Sequence, residues 1–163
     1  VQQDSVVSPI EMPMNDEIQQ VNGVSKATNK ETQRLSNKLA DATKAMVKKN
    51  WKTIYVKAVP TGDKAAVRFY YVDTRGQVHN GQVIRNTGLS KGKYMTGSLR
   101  QTEALQELVN HLERTGQEVP SSIDIIITQG GYRSKTIFNY DEDTSNLPAY
   151  QQQYEQQNFP TMK

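Results

Sequence analysis

Cysteine is absent from the 163-residue chain. That excludes disulfides and thiol chemistry and leaves the redox compartment unmarked. Histidine is scarce, with only His79 and His111 present. A zinc centre draws on Cys and His, so the donors for one are lacking. No apolar run approaches the roughly 18 residues of a membrane-spanning helix. Apolar residues make up 35% of the chain and mean hydropathy is −0.75, so part of it is poorly buried. The length still suffices for one domain with a core.

Motifs of catalysis are missing too. There is no G-x-S-x-G elbow, and neither histidine has a motif around it. The calcium-loop pattern D-x-[DN]-x-[DN]-G is absent. The stretch "GLSKGKY" imitates a phosphate loop, but only three residues separate Gly88 from Gly92, and Tyr94 follows Lys93 where Ser or Thr belongs. The sequence therefore gives no positive sign of an enzyme, a cofactor or a metal.

Charge is what the chain has in excess, and it is uneven. The total is +3, but residues 1–25 carry −4, residues 26–100 carry +12 and residues 101–163 carry −5. Such asymmetry points to interaction surfaces of both signs. The plainer reading of any single lysine is a solvated helix face.

Residues 1–27 hold two prolines, a glycine and no period, and read as an extended leader or linker. Residues 28–50 read as a helix. Thr28 or Asn29 can cap it, Glu31 completes a capping box with Thr28, and Leu35, Leu39, Ala42 and Met46 form its stripe. Lys44, Lys48 and Lys49 fall in its last turns. Residues 51–59 and 65–73 alternate as strands around a turn at Pro60, Gly62 and Asp63. Residues 77–84 make a third strand of an antiparallel meander. Residues 85–97 read as a glycine-rich basic loop. A second helix spans 98–115, capped by Ser98 and ended by Gly116, with Ala104, Leu105, Leu108, Val109 and Leu112 inward. His111 sits beside that stripe as a partly exposed structural residue. Residues 122–128 and 133–140 form a hairpin across "QGGY".

The expected fold is α+β: one antiparallel sheet of about five strands with helices packed on one face. A single domain covers 28–145, and a Gln- and Tyr-rich tail covers 146–163, in which "PAYQQQYEQQN" can make a short helix.

Two surfaces compete for a role. Lys52, Tyr55, Lys57, Arg68 and Tyr70 interleave charge with aromatic rings on the first hairpin, as a nucleic-acid face would, with the 85–93 loop beside it. The plainer reading makes Tyr55 and Tyr70 cross-strand partners. The second surface is "IFNYDEDTSNLPAY". Consecutive acids in an extended chain alternate sides, so Asp141, Glu142 and Asp143 do not converge on a metal without a special loop. With Tyr140, Tyr150 and Tyr154 beside them they offer aromatic anchors and complementary charge for a protein partner.

The order of elements and aromatics resembles the YezG-type family of bacterial immunity proteins, the antitoxins of polymorphic toxins. The matching residues are Trp51, Ile54 and Tyr55 in "WKTIY" and Phe69, Tyr70 and Tyr71 in "VRFYYVD". They continue through the helix "ALQELVNHL" to Phe138, Tyr140, Asp141 and Glu142 in "IFNYDED". The resemblance covers roughly residues 30–145. It implies a non-enzymatic inhibitor that binds one cognate toxin, often a nuclease. An inhibitor of a phosphate-holding nuclease would present acid, whereas this chain is net basic.

The partner expected from the sequence is therefore a protein toxin, met by Tyr140, Asp141, Glu142, Asp143, Tyr150 and Tyr154. A nucleic-acid-binding module on Lys52, Lys57, Arg68 and the 85–93 loop is the alternative. A third reading is a periplasmic or secreted accessory protein. The chain starts at Val1 rather than Met. The expected location is cytoplasmic, or periplasmic if a signal peptide preceded Val1.

Overall fold

A computed structural model describes residues 10–11, 26–60, 65–131 and 134–162. Most of the 1–27 leader lies outside them, as do Gly62 and Asp63 of the first turn and Tyr132 of the second. The elements in chain order are β1 (Ile10–Glu11), α1 (Lys26–Lys44), β2 (Trp51–Val59), β3 (Ala66–Asp73), β4 (Val78–Asn80), α2 (Ile84–Thr87), α3 (Lys91–Arg114), β5 (Ser122–Thr128), β6 (Lys135–Asn139) and α4 (Leu147–Asn158). The class is α+β. The described strands form one sheet in the order β1-β6-β5-β2-β3-β4, with every pair antiparallel.

Strand alternation divides the sheet into two working faces. Ile54, Val56 and Ala58 of β2, Phe69 and Tyr71 of β3, and Ile123, Ile125 and Ile127 of β5 point one way. They close a core with Leu35 and Leu39 of α1 and Ala104, Leu105, Leu108 and Leu112 of α3. The two long helices thus lie on one face, as the periodicity predicts. Polar residues join that interface as well. Thr32, Ser36 and Thr43 are buried because each hydroxyl donates to the carbonyl four residues back. His111 is buried rather than partly exposed. Its Nε2 lies 2.8 Å from Thr32 Oγ1, which fastens α3 to α1.

Several boundaries differ from the sequence reading. α1 begins at Lys26, so Thr28 and Asn29 lie inside its first turn, and Glu31 binds Arg34 through both carboxylate oxygens instead of closing a capping box. The same helix ends at Lys44, and Met46 fills the core from the turn that follows. Only Val78–Asn80 of the third strand pair with β3. Beyond them, the Gln82 side chain takes over the ladder, accepting from Phe69 N at 2.9 Å and donating to Phe69 O at 3.2 Å.

The largest difference is at α3. The expected glycine-rich loop is mostly helix, capped by Ser90, whose Oγ accepts from Lys93 N. Gly97 lies within that helix for a packing reason. A Cβ there would come 2.1 Å from Met46 Sδ, so glycine makes room for the buried Met46 side chain against α3.

Candidate functional site

The second face of the sheet carries Tyr55 and Lys57 of β2, Arg68 and Tyr70 of β3, and Asp124 of β5. Left in water, this would be an ordinary polar face. Here α4 lies across it. Phe159, just past the helix, stacks at 4.9 Å on Tyr70 and 5.4 Å on Tyr55, and Tyr154 meets Tyr70 at 5.7 Å between ring centroids. Each aromatic pair adds to the area it removes from water. Burial, together with the Glu155 carboxylate, pushes the Tyr70 hydroxyl far above its ordinary range, and burial does the same to Tyr154.

Lys57 is only 5% exposed under this helix. Its cross-strand neighbour is Asp124, and Nζ sits 3.2 Å from Asp124 Oδ1. The rings of Tyr154 and Tyr150 lie 5.0 and 5.5 Å from the same nitrogen. Burial opposes this charge, but Asp124, the Tyr150 hydroxyl and Glu142 outweigh it and raise the Lys57 pKa. Asn139 Nδ2 donates to Asp124 at 2.8 Å and completes its partners.

Because α4 sits over β2 and β3, it leaves β5 and β6 partly open. The result is a groove of about 620 Å³ with Ile126 and Ile137 on its floor and Glu142, Asp143, Tyr150 and Tyr154 among its walls. Its mouth is the acidic turn after β6. Asp141 adopts φ 63°, the left-handed conformation that Asp tolerates better than most residues. The chain therefore leaves the extended state at the first of the three acids.

The acids then part company. Glu142 Oε1 accepts from Ser122 Oγ and from the Tyr150 hydroxyl at 3.0 Å, so it braces the turn against α4. Asp143 accepts from the Ser145 hydroxyl and backbone N–H, which hold its carboxyl below the usual range. Asp141 lines a second recess with Glu113, Glu118, Val109, Val119 and Pro60. Pro60 also lines a third, with Glu142 and Asp143. Five carboxylates thus surround Pro60, and none of the five forms an ion pair with a described residue.

The six residues singled out from the sequence are distributed as follows. Asp141, Glu142, Asp143 and Tyr150 gather at this end. Tyr154 lies deeper, against Lys57. Tyr140 is half-buried on the other face, packed against the main core, where burial and then Glu118 raise its pKa. Glu113, Glu118 and Pro60 escaped sequence reasoning, because nothing local ties α3 or the end of β2 to the last turn. The signal available was the net charge of −5 over 101–163.

The hairpin face considered for nucleic acid is covered by α4 at Tyr55, Lys57, Arg68 and Tyr70, while Lys52 and the basic residues of 85–93 stay exposed. Tyr55 and Tyr70 are direct cross-strand partners. Lys57 is held by Asp124, and Arg68 Nη2 by Glu155 at 3.1 Å. Among the described residues no group of His, Cys, Asp and Glu is placed to hold a metal ion, and no helix is long and apolar enough to cross a membrane.

A cluster of cations lies away from these carboxylates. Lys48 and Lys49 precede β2, and Lys91 and Lys93 open α3, whereas Pro60 follows β2 and Glu113 lies at the end of α3, beside Arg114. A nine-residue strand spans about 30 Å. The fold therefore sets these four lysines apart from the five carboxylates around Pro60.

Comparison with known families gives one result of direct bearing. The family model described as "Immunity protein YezG-like" matches residues 32–162. That span takes in α4 and the acidic turn as well as the core. No curated protein matches the chain.

Proposed function

Because the chain belongs to the YezG-like immunity protein family, we propose that it neutralises a cognate toxin by stoichiometric binding through the acidic end around Pro60. The observation that carries this reading is the set of five carboxylates that form no ion pair with a described residue, next to a groove walled by Tyr150 and Tyr154. Inhibition by occlusion needs no reactive residue. It needs rigid aromatic anchors and charge opposite in sign to the partner.

A basic partner surface fits such an end, and a nuclease cleft built to hold phosphates is one. The net positive charge of the chain is no obstacle, since Lys48, Lys49, Lys91 and Lys93 begin the elements whose far ends reach Pro60 and Glu113. On this reading the protein acts as an antitoxin in bacterial competition, in the cytoplasm of the toxin-producing cell.

The test is co-expression with the toxin encoded beside its gene, followed by calorimetric titration of the purified pair. A one-to-one complex at micromolar concentration or tighter is expected, with loss of toxin activity on binding. No binding at that concentration contradicts the proposal.

A further inference from the structure

Among the described residues, Met95 and Leu99 are the exposed large apolar side chains, each at 58%. Both lie on α3, one turn apart. They open a stripe that continues through Thr102, Gln106, Val109 and Glu113, in alternating steps of four and three residues. That is the spacing of a helix–helix seam. All six residues are exposed or half-buried, while the inner stripe of Gln101, Ala104, Leu105, Leu108 and Leu112 is buried against α1 and the sheet. α3 thus carries a second, outward seam, open at Met95 and Leu99 and grazing the core at Val109.

Charge along this seam is polarised. Lys91 stands at its start and Glu113 at its end. Neither forms an ion pair with a described residue. Such a face is complementary to its own reverse. Antiparallel alignment sets Lys91 opposite Glu113 of a second copy, Met95 opposite Val109, and Leu99 beside Gln106. Twofold symmetry repeats every one of these contacts. Parallel alignment would instead place Lys91 on Lys91 and Glu113 on Glu113.

We propose that a second copy of this chain docks on the outer face of α3, antiparallel, to form a closed twofold dimer. Symmetry makes the interface self-limiting at two copies. From Lys91 to Glu113 the helix rises about 33 Å. A single helix face of that length buries less than the roughly 1,200 Å² of stable complexes, so the dimer is weak and dissociates on dilution. Duplex nucleic acid fits the seam poorly, because its centre is apolar and offers no ring for base stacking. An anionic bilayer would use Lys91, Met95 and Leu99 but would be repelled by Glu103 and Glu113. The seam shares Gln106, Val109 and Glu113 with the recess beside Pro60, but its test needs no toxin, so its failure is read separately from that of toxin binding.

The experiment is sedimentation velocity of the full chain at low salt, from about 1 to about 200 µM, the range of a weak interface. The expected result is a shift from monomer to dimer with rising concentration. Leu99→Asp should weaken association by about tenfold or more, with an unchanged circular dichroism spectrum. Lys91→Glu and Glu113→Lys should each weaken it, and the double variant Lys91→Glu/Glu113→Lys should restore it. A monomer at every concentration overturns the proposal. So does a dimer indifferent to Leu99→Asp and to the charge swap, or growth beyond two copies. Flotation with phosphatidylglycerol vesicles that is lost in Leu99→Asp, without dimerisation, assigns the face to a bilayer and overturns it equally.

Discussion

Glu155 Oε2 accepts the Tyr70 hydroxyl at 2.6 Å, and the same oxygen binds Arg68 Nη2 at 3.1 Å. One carboxylate on α4 thereby satisfies two polar groups on a strand 85 residues earlier in the chain. Without it, the Tyr70 hydroxyl and the Arg68 guanidinium would face α4 with no acid to receive them. Glu155→Ala should therefore cost about 2–3 kcal/mol in urea denaturation, the cost of leaving partly buried charged and polar groups unpaired. Tyr70→Phe should cost about 1–2 kcal/mol, since it removes the bond to Glu155 and the one the hydroxyl accepts from Arg68 Nε, and little area. The double variant should fall short of the sum.

Lys57 and Asp124 test the same face from the sheet side. Lys57→Ala leaves Asp124 with Asn139 but without a cation, and should cost about 3 kcal/mol. Replacing both, as Lys57→Met/Asp124→Leu, should recover most of that loss, because an apolar pair of similar volume avoids the desolvation of two charges. Chemical denaturation of the three variants measures the difference.

The same groups set an alkaline limit. Lys57 has a raised pKa in the fold, so its contribution is complete below the unfolded lysine value of 10.5 and is lost as pH rises through the folded one. Tyr70 and Tyr154 are also raised above 10.0, so above that value the unfolded chain releases protons that the fold retains. Both effects have one sign. Stability should hold level between neutrality and about pH 10 and fall steeply above it. Tyr154→Phe should flatten that fall, as read from thermal melts across the range.

Gly81 marks a close approach that any side chain would disturb. A Cβ there would lie 2.3 Å from the Phe69 ring, which is fixed in the core and cannot swing away cheaply. Gly81→Ala should cost about 1–3 kcal/mol by overpacking. Gly76, in the nearby turn, has open space around it but a positive φ of 89°, so Gly76→Ala should be destabilising through backbone strain alone. Combining Gly81→Ala with Phe69→Leu should relieve the first cost and leave the second untouched.

Much of this fold was legible because two periods dominate it. Leu35 and Leu39 on α1, and the Ile, Val and aromatic residues on alternate positions of β2, β3 and β5, declare their faces without help. What stayed hidden depends on partners distant in sequence. Gly92 and Gly97 read as a loop until Met46 supplies the reason for a glycine inside a helix. Lys57 reads as solvated until α4 is laid over it. The stretch "PAYQQQYEQQN" shows its helix, but its low apolar content conceals that Tyr150 and Tyr154 pack, half-buried, against the sheet. The acidic turn was visible as a string of charges. That Asp141 diverges from Glu142, and that Glu113 and Glu118 join it around Pro60, required the backbone turn at Asp141 and the end of α3. The family resemblance was carried by Trp51, Tyr55, Phe69, Tyr70 and Phe138. These shape or flank the sheet, and Tyr140, Asp141 and Glu142, which also carried it, lead into the acidic turn.

The direct test of toxin docking is calorimetric titration of the cognate toxin with the wild-type chain and with Glu118→Lys/Asp143→Lys. These two residues line different recesses beside Pro60 and neither ties α4 to the sheet, unlike Glu142, which holds Ser122 and Tyr150; Asp143 bonds only Ser145 in its own turn. The account predicts one-to-one binding by the wild type, affinity reduced by about tenfold or more in the variant, and a melting temperature lowered by no more than in Ser145→Ala. Equal affinity of the two proteins would place the interface elsewhere, and no binding by either would contradict the proposed function itself.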